Sequence, residues 1–346
     1  MGNMPSRSKP RATLTDVATR AGVSVPTVSK VLNNKPEIAE PTRRRVEEAI
    51  AQTGYRPRPR SKKVSRAGLV DIVVHGVNSP WVLEVIAGAE EAAYQSGVGL
   101  VVTSTHGDTL RGRWVQEMAK RRSDGIVLVV SDIPAEMLEG LAEAGVPVVL
   151  LDRTGSSDPR IPSVGAANWA GGLAATEHLI SQGHRRIGTI GGHPRLACSA
   201  ERIDGYLAAL RRADIPVDPD LILHGDAFPE GGRIAAAKLL ALPDPPTAIF
   251  AGTDLQALGV YDEARRRGLQ IPRDLSVVGF DDLSIAGYVS PPLTTVRQPH
   301  SEMAAEAVRM VLLMNNTNHS VSPTRMELAT SLVVRESTAP PAAASH

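Results

Sequence analysis

From Leu69 onward, short apolar runs alternate with longer stretches in which apolar residues recur every three or four positions. LVDIVV, VGLVVT, GIVLVV, VPVVLL, RRIGTI, TAIFAG and LSVVGF are rich in Val and Ile, as buried parallel strands should be. Between them, WVLEVIAGAEEAAYQSG, AGGLAATEHLISQG, AERIDGYLAALRRA and LQALGVYDEARRRG read as amphipathic helices. This alternation predicts layered α/β architecture with parallel sheets, and a body of 280 residues predicts two similar lobes. The start of the chain is all helical. Residues 14–20 read as a short helix with Val17, Ala18 and Ala21 on its apolar side, and Gly22 supplies a tight turn. Ser24 caps a second helix that holds Pro26 in its first turn and turns Val28, Val31 and Leu32 inward. Its other face carries Val25, Thr27, Ser29 and Lys30, which suit base edges and phosphates in a major groove. A third helix is predicted over 41–53, burying Val46, Ala49 and Ile50 and stopping at Gly54.

Charge sharpens the division. Residues 1–66 hold 15 Lys and Arg against 5 Asp and Glu, whereas the remaining 280 hold 23 against 32. A net charge of +1 thus hides a head of +10 on a body of −9. A basic tail would be the plain reading of such an excess. Its coincidence with three capped helices points instead to nucleic acid, where each neutralised phosphate releases counterions.

The segments TLTDVATRAGVSVPTVSKVLNN and TRRRV…GYRP, followed near the end by SVVGFDD, PPLTTVRQP and LVVRESTAPP, resemble the lactose/galactose repressor (LacI/GalR) family of bacterial transcription regulators. The resemblance covers nearly the whole chain. It implies that Val25, Pro26 and Lys30 face base edges, that Thr27, Ser29 and Asn33 help seat the helix on the backbone, and that Thr15, Ser24 and Tyr55 also contact DNA. Lys30 stands where Arg is usual, offering a point charge in place of a planar fork for guanine. Val25 and Pro26 can make only apolar contacts, so the operator is not inherited from relatives. Ala39 stands where a capping Ser usually opens the third helix, a loss of about 1 kcal/mol.

Residues 56–68, RPRPRSKKVSRAG, read plainly as a flexible linker. The resemblance makes 58–68 a hinge that becomes helical on the operator, with Val64 as the minor-groove wedge. This stretch is about two residues shorter than is common in the family, and Val is a smaller wedge than Leu. Electrostatics from Arg58, Arg60, Lys62, Lys63 and Arg66 are therefore expected to carry more of the binding.

In the body the resemblance implies a periplasmic-binding-protein fold with an effector between lobes. Domain boundaries are expected at 1–12 for a disordered tail, 13–57 for the helix-turn-helix headpiece, 58–68 for the hinge and 69–337 for the effector-binding and dimerisation domain. Lobe 1 is placed at about 69–162 and 292–321, lobe 2 at about 163–291 and 322–337, and a tail at 338–346. Ligands of open α/β sheets bind beyond the carboxyl ends of strands. Asn78 and Trp81, Asp152 and Arg153, Thr253 and Asp254, and Asp281 and Asp282 all follow strand runs. By motif, Arg202 in ERIDGY corresponds to the family's effector-gripping arginine and Asp281 in GFDD to its acidic partner. The set suits a polyol: carboxylates and amides bridge hydroxyls, and Arg donates a fork. With 11 aromatics in the chain, Trp81 and Phe228 stand out as sugar-ring platforms, ahead of Trp169. Asp152, Asp254 and Asp282 have an equally open structural reading as caps of the next helix, and Trp81 can equally be core or dimer surface. Cys198 is expected to line the cleft as a small side chain.

No GxSxG, HExxH, GxxxxGK[ST] or GxGxxG context marks an enzyme, and the nine His lack metal-ligand spacing, so no catalytic residue, cofactor or metal is expected. A free-standing sugar receptor would not need the basic head, and MGNMPSRSKPRA has no apolar signal region. One cysteine and no bilayer-length apolar run suggest a reducing cytoplasm. The expected partners are double-stranded, pseudo-palindromic operator DNA, a second copy of the chain in a homodimer, and a small effector, with no membrane. A sugar or short oligosaccharide that releases DNA is the leading effector; a purine-type corepressor is the alternative.

Overall fold

The computed structural model describes residues 13–32, 38–55, 67–105, 120–129, 139–141, 145–152, 161–316 and 324–342. Asn33, Arg58, Arg60, Lys62, Lys63, Val64, Arg66, Arg153 and the expected N-terminal tail lie outside the described residues. The chain divides into two units, Met1–Val64 and Ser65–His346.

The first unit contains helices α1 (Leu14–Ala21), α2 (Val25–Leu32) and α3 (Glu40–Thr53). Thr13 and Asp16 close a reciprocal capping box on α1, satisfying amides that its first turn would otherwise leave free. Gly22 ends α1 at φ +63°, a left-handed conformation that glycine adopts without strain, and this sets the turn into α2. Val17, Ala18, Ala21, Val28, Val31, Val46 and Ala49 are buried together. Ile50 is only half-buried: three short helices enclose a small core, and α3 leaves it there. Helix α3 begins one residue before the expected start and has no side-chain cap at Ala39.

The second unit holds two six-stranded sheets. The first has strand order β11-β5-β4-β3-β1-β2, from β1 (Leu69–Val74), β2 (Gly99–Ser104), β3 (Gly125–Val129), β4 (Val148–Leu151), β5 (Ser163–Ala166) and β11 (Arg325–Leu328). The second has order β12-β10-β9-β8-β6-β7, from β6 (Ile187–Gly191), β7 (Ile222–His224), β8 (Ala248–Ala251), β9 (Ser276–Asp281), β10 (Thr294–Arg297) and β12 (Ser331–Val333). All pairings are parallel except β10 with β12, as α/β alternation predicts. Val70, Ile72 and Val74 point to α4 (Pro80–Gln95) and to the helix that follows the second crossing, His300–Asn316. In the second lobe α5 (Asn168–Ser181) and α6 (Ala197–Arg212) cover the Phe250, Val278 and Phe280 face. On the opposite face α7 (Pro229–Leu239) and α8 (Asp254–Arg266) cover Ile190, Ile249 and Val277. The His300–Asn316 helix is α9.

Three sequence expectations are corrected. The lobe boundaries lie later than the expected ones at about 162, 291 and 321. Strand β5 pairs with β4 and β11, so 163–166 and 325–328 belong to the first sheet; β10 pairs with β9, so 294–297 belong to the second. Second, VGLVVT is not a buried strand, because β2 lies at a sheet edge with Val102 41% exposed. Third, the expected tail is docked as far as Pro341: Thr338 bonds His178, and the Ala339 carbonyl accepts from His184 and from the Ser276 hydroxyl.

That docking gives the C-terminal segment a pH dependence. His184 is 1% exposed, its Nδ1 facing the Thr247 hydroxyl at 2.8 Å and its Nε2 facing Ala339 O at 2.9 Å. Burial holds both His184 and His178 below the ordinary imidazole value of 6.5. A depressed histidine stabilises the fold fully above pH 6.5, and that contribution is lost as pH falls toward the lowered folded value. Urea unfolding from pH 7.5 to 5.5 should therefore show stability falling with pH in wild type and a shallower slope in His184→Gln. Equal slopes would remove His184 from the account.

Close helix contacts in the second lobe depend on glycine. A Cβ on Gly205 of α6 would stand 2.2 Å from the Trp169 carbonyl oxygen, and one on Gly172 of α5 would stand 2.2 Å from the Arg202 carbonyl oxygen. Backbone lies on backbone there, and the crossing sets the height of Arg202. Among the described residues no helix is long and apolar enough to cross a membrane.

Candidate functional site

In the first unit, the face of α2 away from the core presents Val25 at 38% exposure together with exposed Pro26 and Lys30. Thr27 and Ser29 are half-buried beside them. The Ser24 hydroxyl pairs with the Thr27 hydroxyl at 2.9 Å, and the Thr27 amide donates toward Ser24 Oγ at 3.4 Å, so both hydroxyls are already oriented by the helix start. Thr15 is exposed on α1, while Tyr55 packs half-buried against the core. Arg20 Nε donates to Gln52 Oε1 at 2.7 Å and ties α1 to α3. That cross-link was not visible in the sequence, because nothing in the spacing of 32 residues marks it.

In the second unit, the ends of the second sheet and the lobe crossings meet around Arg202. Its side chain is buried, stacks over Phe280 with 3.8 Å to the ring centroid, and donates to Asn168 Oδ1 at 2.8 Å and to the Gly252 carbonyl. Asp281 lies 3.8 Å from the guanidinium and accepts from Gln298 Nε2 at 2.6 Å. Burial pushes the Asp281 carboxyl above the ordinary carboxylate range, and the Arg202 charge opposes that rise. The result is a dry, preoriented polar pair. Asp281 itself sits at φ +121°, held by the turn out of β9.

A small recess with about 20 Å³ of enclosed space, room for about one water, lies beside Asn168, which bonds Arg202; Arg202 and Asp281 do not line it. Asp152, Asn168, Cys198, Glu201, Arg325 and Glu327 supply its polar lining. Burial and the Asp152 charge push the Cys198 thiol up to about 12, so it is a neutral wall and not a nucleophile.

The remaining expected residues divide. Trp81 is half-buried against the first-lobe core and meets His300 edge-on, with centroids 6.1 Å apart. His300 in turn bonds Glu84 through Nδ1 at 2.8 Å. Asn78 is exposed beyond β1. Phe228 is 47% exposed where α7 begins. Thr253 caps α8, accepting from the Gln256 amide at 3.0 Å, and donates to Ala227 O. Asp254 is a correction: it is fully buried, with its oxygens taken by the Leu283 amide and the Thr295 hydroxyl. It ties three loops of the second lobe together and faces neither solvent nor the recess. Asp282 is likewise engaged, by Arg297 and Arg335. The sequence reading passed over Asn168, Gln298 and Phe280 as site residues. Each follows or closes a strand, but the late position of the crossings hid the first two.

The chain is similar to known proteins over most of its length. Residues 13–58 match the family described as "Bacterial regulatory proteins, lacI family", and residues 176–338 match "Periplasmic binding protein-like domain". The HTH-type transcriptional repressor CytR of Escherichia coli (strain K12) is 35% identical over 332 residues, 94% of this chain and 96% of that protein. The HTH-type transcriptional repressor PurR of Photobacterium profundum is 34% identical, over 94% of this chain and 98% of its own. Among solved structures, a transcriptional regulator CelR–cellobiose complex superimposes with a TM-score of 0.73 at 34% identity, covering 94% of this chain and 100% of that one. An Enterococcus faecium regulator with bound ribose gives a TM-score of 0.71 at 25% identity, over 79% of this chain and 99% of that one.

Proposed function

Since the chain belongs to the lacI family of bacterial regulatory proteins, we propose that it represses genes of carbohydrate uptake or breakdown and leaves its operator when a sugar or short oligosaccharide binds between the lobes. It is a ligand-responsive DNA-binding regulator and not an enzyme. The observation that carries the sugar reading is the buried Arg202–Asp281 pair, linked through Asn168 to a small recess lined by carboxylates that must widen to admit a sugar ring. Such groups accept from and donate to adjacent hydroxyls, and the half-exposed Phe228 ring offers an apolar platform. The similarity to the cellobiose complex over 94% of the chain supports the same class.

In this reading residues 13–57 read the operator, 58–68 join head to body, and the body binds effector and pairs with a second copy in the cytoplasm. Two heads on a pseudo-palindrome give the affinity that a single short helix lacks. Thr15, Ser24, Val25, Pro26, Thr27, Ser29, Lys30, Asn33 and Tyr55 form the reading surface, with the basic hinge on phosphates. Lys30→Ala is expected to weaken operator binding by about 1–3 kcal/mol. If Lys30 seats a phosphate, the slope of log affinity against log salt also falls by about 1. Unchanged affinity would remove Lys30 from the interface.

The test is a thermal-shift screen of the purified chain against mono- and oligosaccharides and nucleobases, each hit then added to an operator titration. A sugar that raises the melting temperature and weakens operator binding is the expected outcome. A nucleobase that tightens operator binding overturns the sugar reading and leaves the regulator intact.

A further inference from the structure

We infer that the first turns of α6 form a latch between the lobes, in which the Glu201–Arg325 ion pair sets how readily the cleft opens. Its regulatory meaning rests on the ligand-responsive reading above; its existence does not. Helix α6 belongs to the second lobe, packed on α5 and β6, yet two of its side chains reach the first lobe. Glu201 Oε1 lies 3.0 Å from Arg325 Nη2 on β11, an edge strand of the first sheet. One turn earlier, Cys198 faces Asp152, which follows β4 of the same sheet. Positions 198 and 201 are three apart and share a helix face, so both contacts come from one ridge. Position 202 points away from it, to the effector pair and to Asn168.

The Asn168 amide marks where the two lobes join. Its Nδ2 donates to Ala166 O at the end of first-lobe β5, while its Oδ1 accepts from Arg202. Arg202 is thus tied to the crossing, and Glu201, its neighbour, to the opposite lobe. A ligand that shifts the α6 backbone at Arg202 shifts Glu201 as well.

Arg325 also pairs with Glu327 on its own strand. When the lobes part, the guanidinium keeps the Glu327 carboxylate, while the partly exposed Glu201 passes to solvent. The arrangement is therefore reversible and weak, as an ion pair with Arg325 48% and Glu201 30% exposed must be. It is also screened by salt.

Hydrogen exchange on the full chain without ligand tests this, followed at peptides spanning 163–168, 196–203 and 324–328. Glu201→Gln and Arg325→Gln should each raise exchange there by about threefold, and the double variant should exchange no faster than either single one. Glu327→Gln should slow exchange, because Arg325 then has only Glu201. Raising salt should speed wild type toward Glu201→Gln and leave that variant unmoved. Single variants that match wild type, or a double variant whose effect is the product of the two, would overturn the latch. No sugar enters the measurement, so the latch and the sugar reading fail separately.

Discussion

Arg202→Ala should abolish the response to effector while leaving the reading head able to bind operator. The guanidinium fills three needs at once: it bonds Asn168, caps the Gly252 carbonyl and faces Asp281 across 3.8 Å. Truncation removes the donor fork expected to grip ligand hydroxyls, and it leaves Asp281 buried without its cation. Loss of one partner of a buried pair typically costs about 3–5 kcal/mol, so the variant should melt well below wild type. The effector concentration giving half-release should rise at least about 100-fold, the scale of a lost charge-assisted contact. Melting curves and operator titrations measured side by side separate the two effects. Arg202→Lys, which keeps the charge but loses the fork, should recover stability more than effector sensitivity. A variant that responds at wild-type effector concentrations would show that the site lies elsewhere.

Gly205→Ala is expected to be among the most damaging single-methyl changes in the second lobe, and the one that bears most directly on Arg202. The added carbon would sit 2.2 Å from Trp169 O and 2.6 Å from Leu173 N, both backbone atoms that cannot swing aside. Helices α5 and α6 must separate, and with them Arg202 lifts from Asn168 and Phe280. Overpacking costs of about 3 kcal/mol or more are expected, read as a lower melting temperature in thermal denaturation. Effector sensitivity should fall in parallel, because the same crossing positions the arginine. Gly140→Ala is the control: its Cβ meets nothing within 4 Å and the position is helical, so stability should hold or rise by up to about 1 kcal/mol. A Gly205→Ala protein that melts like the control would mean the helices can slide apart freely.

Much of the architecture was legible because periodicity is a local property. Val28, Val31, Val46 and Ala49 were identified as core from spacing alone, and the seven Val- and Ile-rich runs each hold a strand. The lobe assignment was misplaced for a nonlocal reason. Whether Ser163–Ala166 joins one sheet or the other depends on pairing with Val148–Leu151 and with Arg325–Leu328, and no window of sequence holds both. The site shows the same limit. Arg202 and Asp281 stand out as candidates through short motifs, whereas Asn168 and Gln298 acquire their partners only through the crossings. Asp254 misled because an aspartate after a strand suits a cleft as well as a cap; here Thr253 takes the cap, and Asp254 turns inward to Leu283 and Thr295.

The three passages between lobes also order events during synthesis. Strand β5 leaves the ribosome with one edge unpaired, and its neighbour β11 follows roughly 160 residues later, about 10–30 s at ordinary elongation rates. For that interval the nascent chain carries an open parallel edge, the kind of surface on which other strands dock. The first lobe is therefore begun first but closed only after most of the second lobe has been made. Slowing elongation between the second lobe and β11 should lower the yield of folded protein, and chaperone dependence should concentrate on chains stalled in that window.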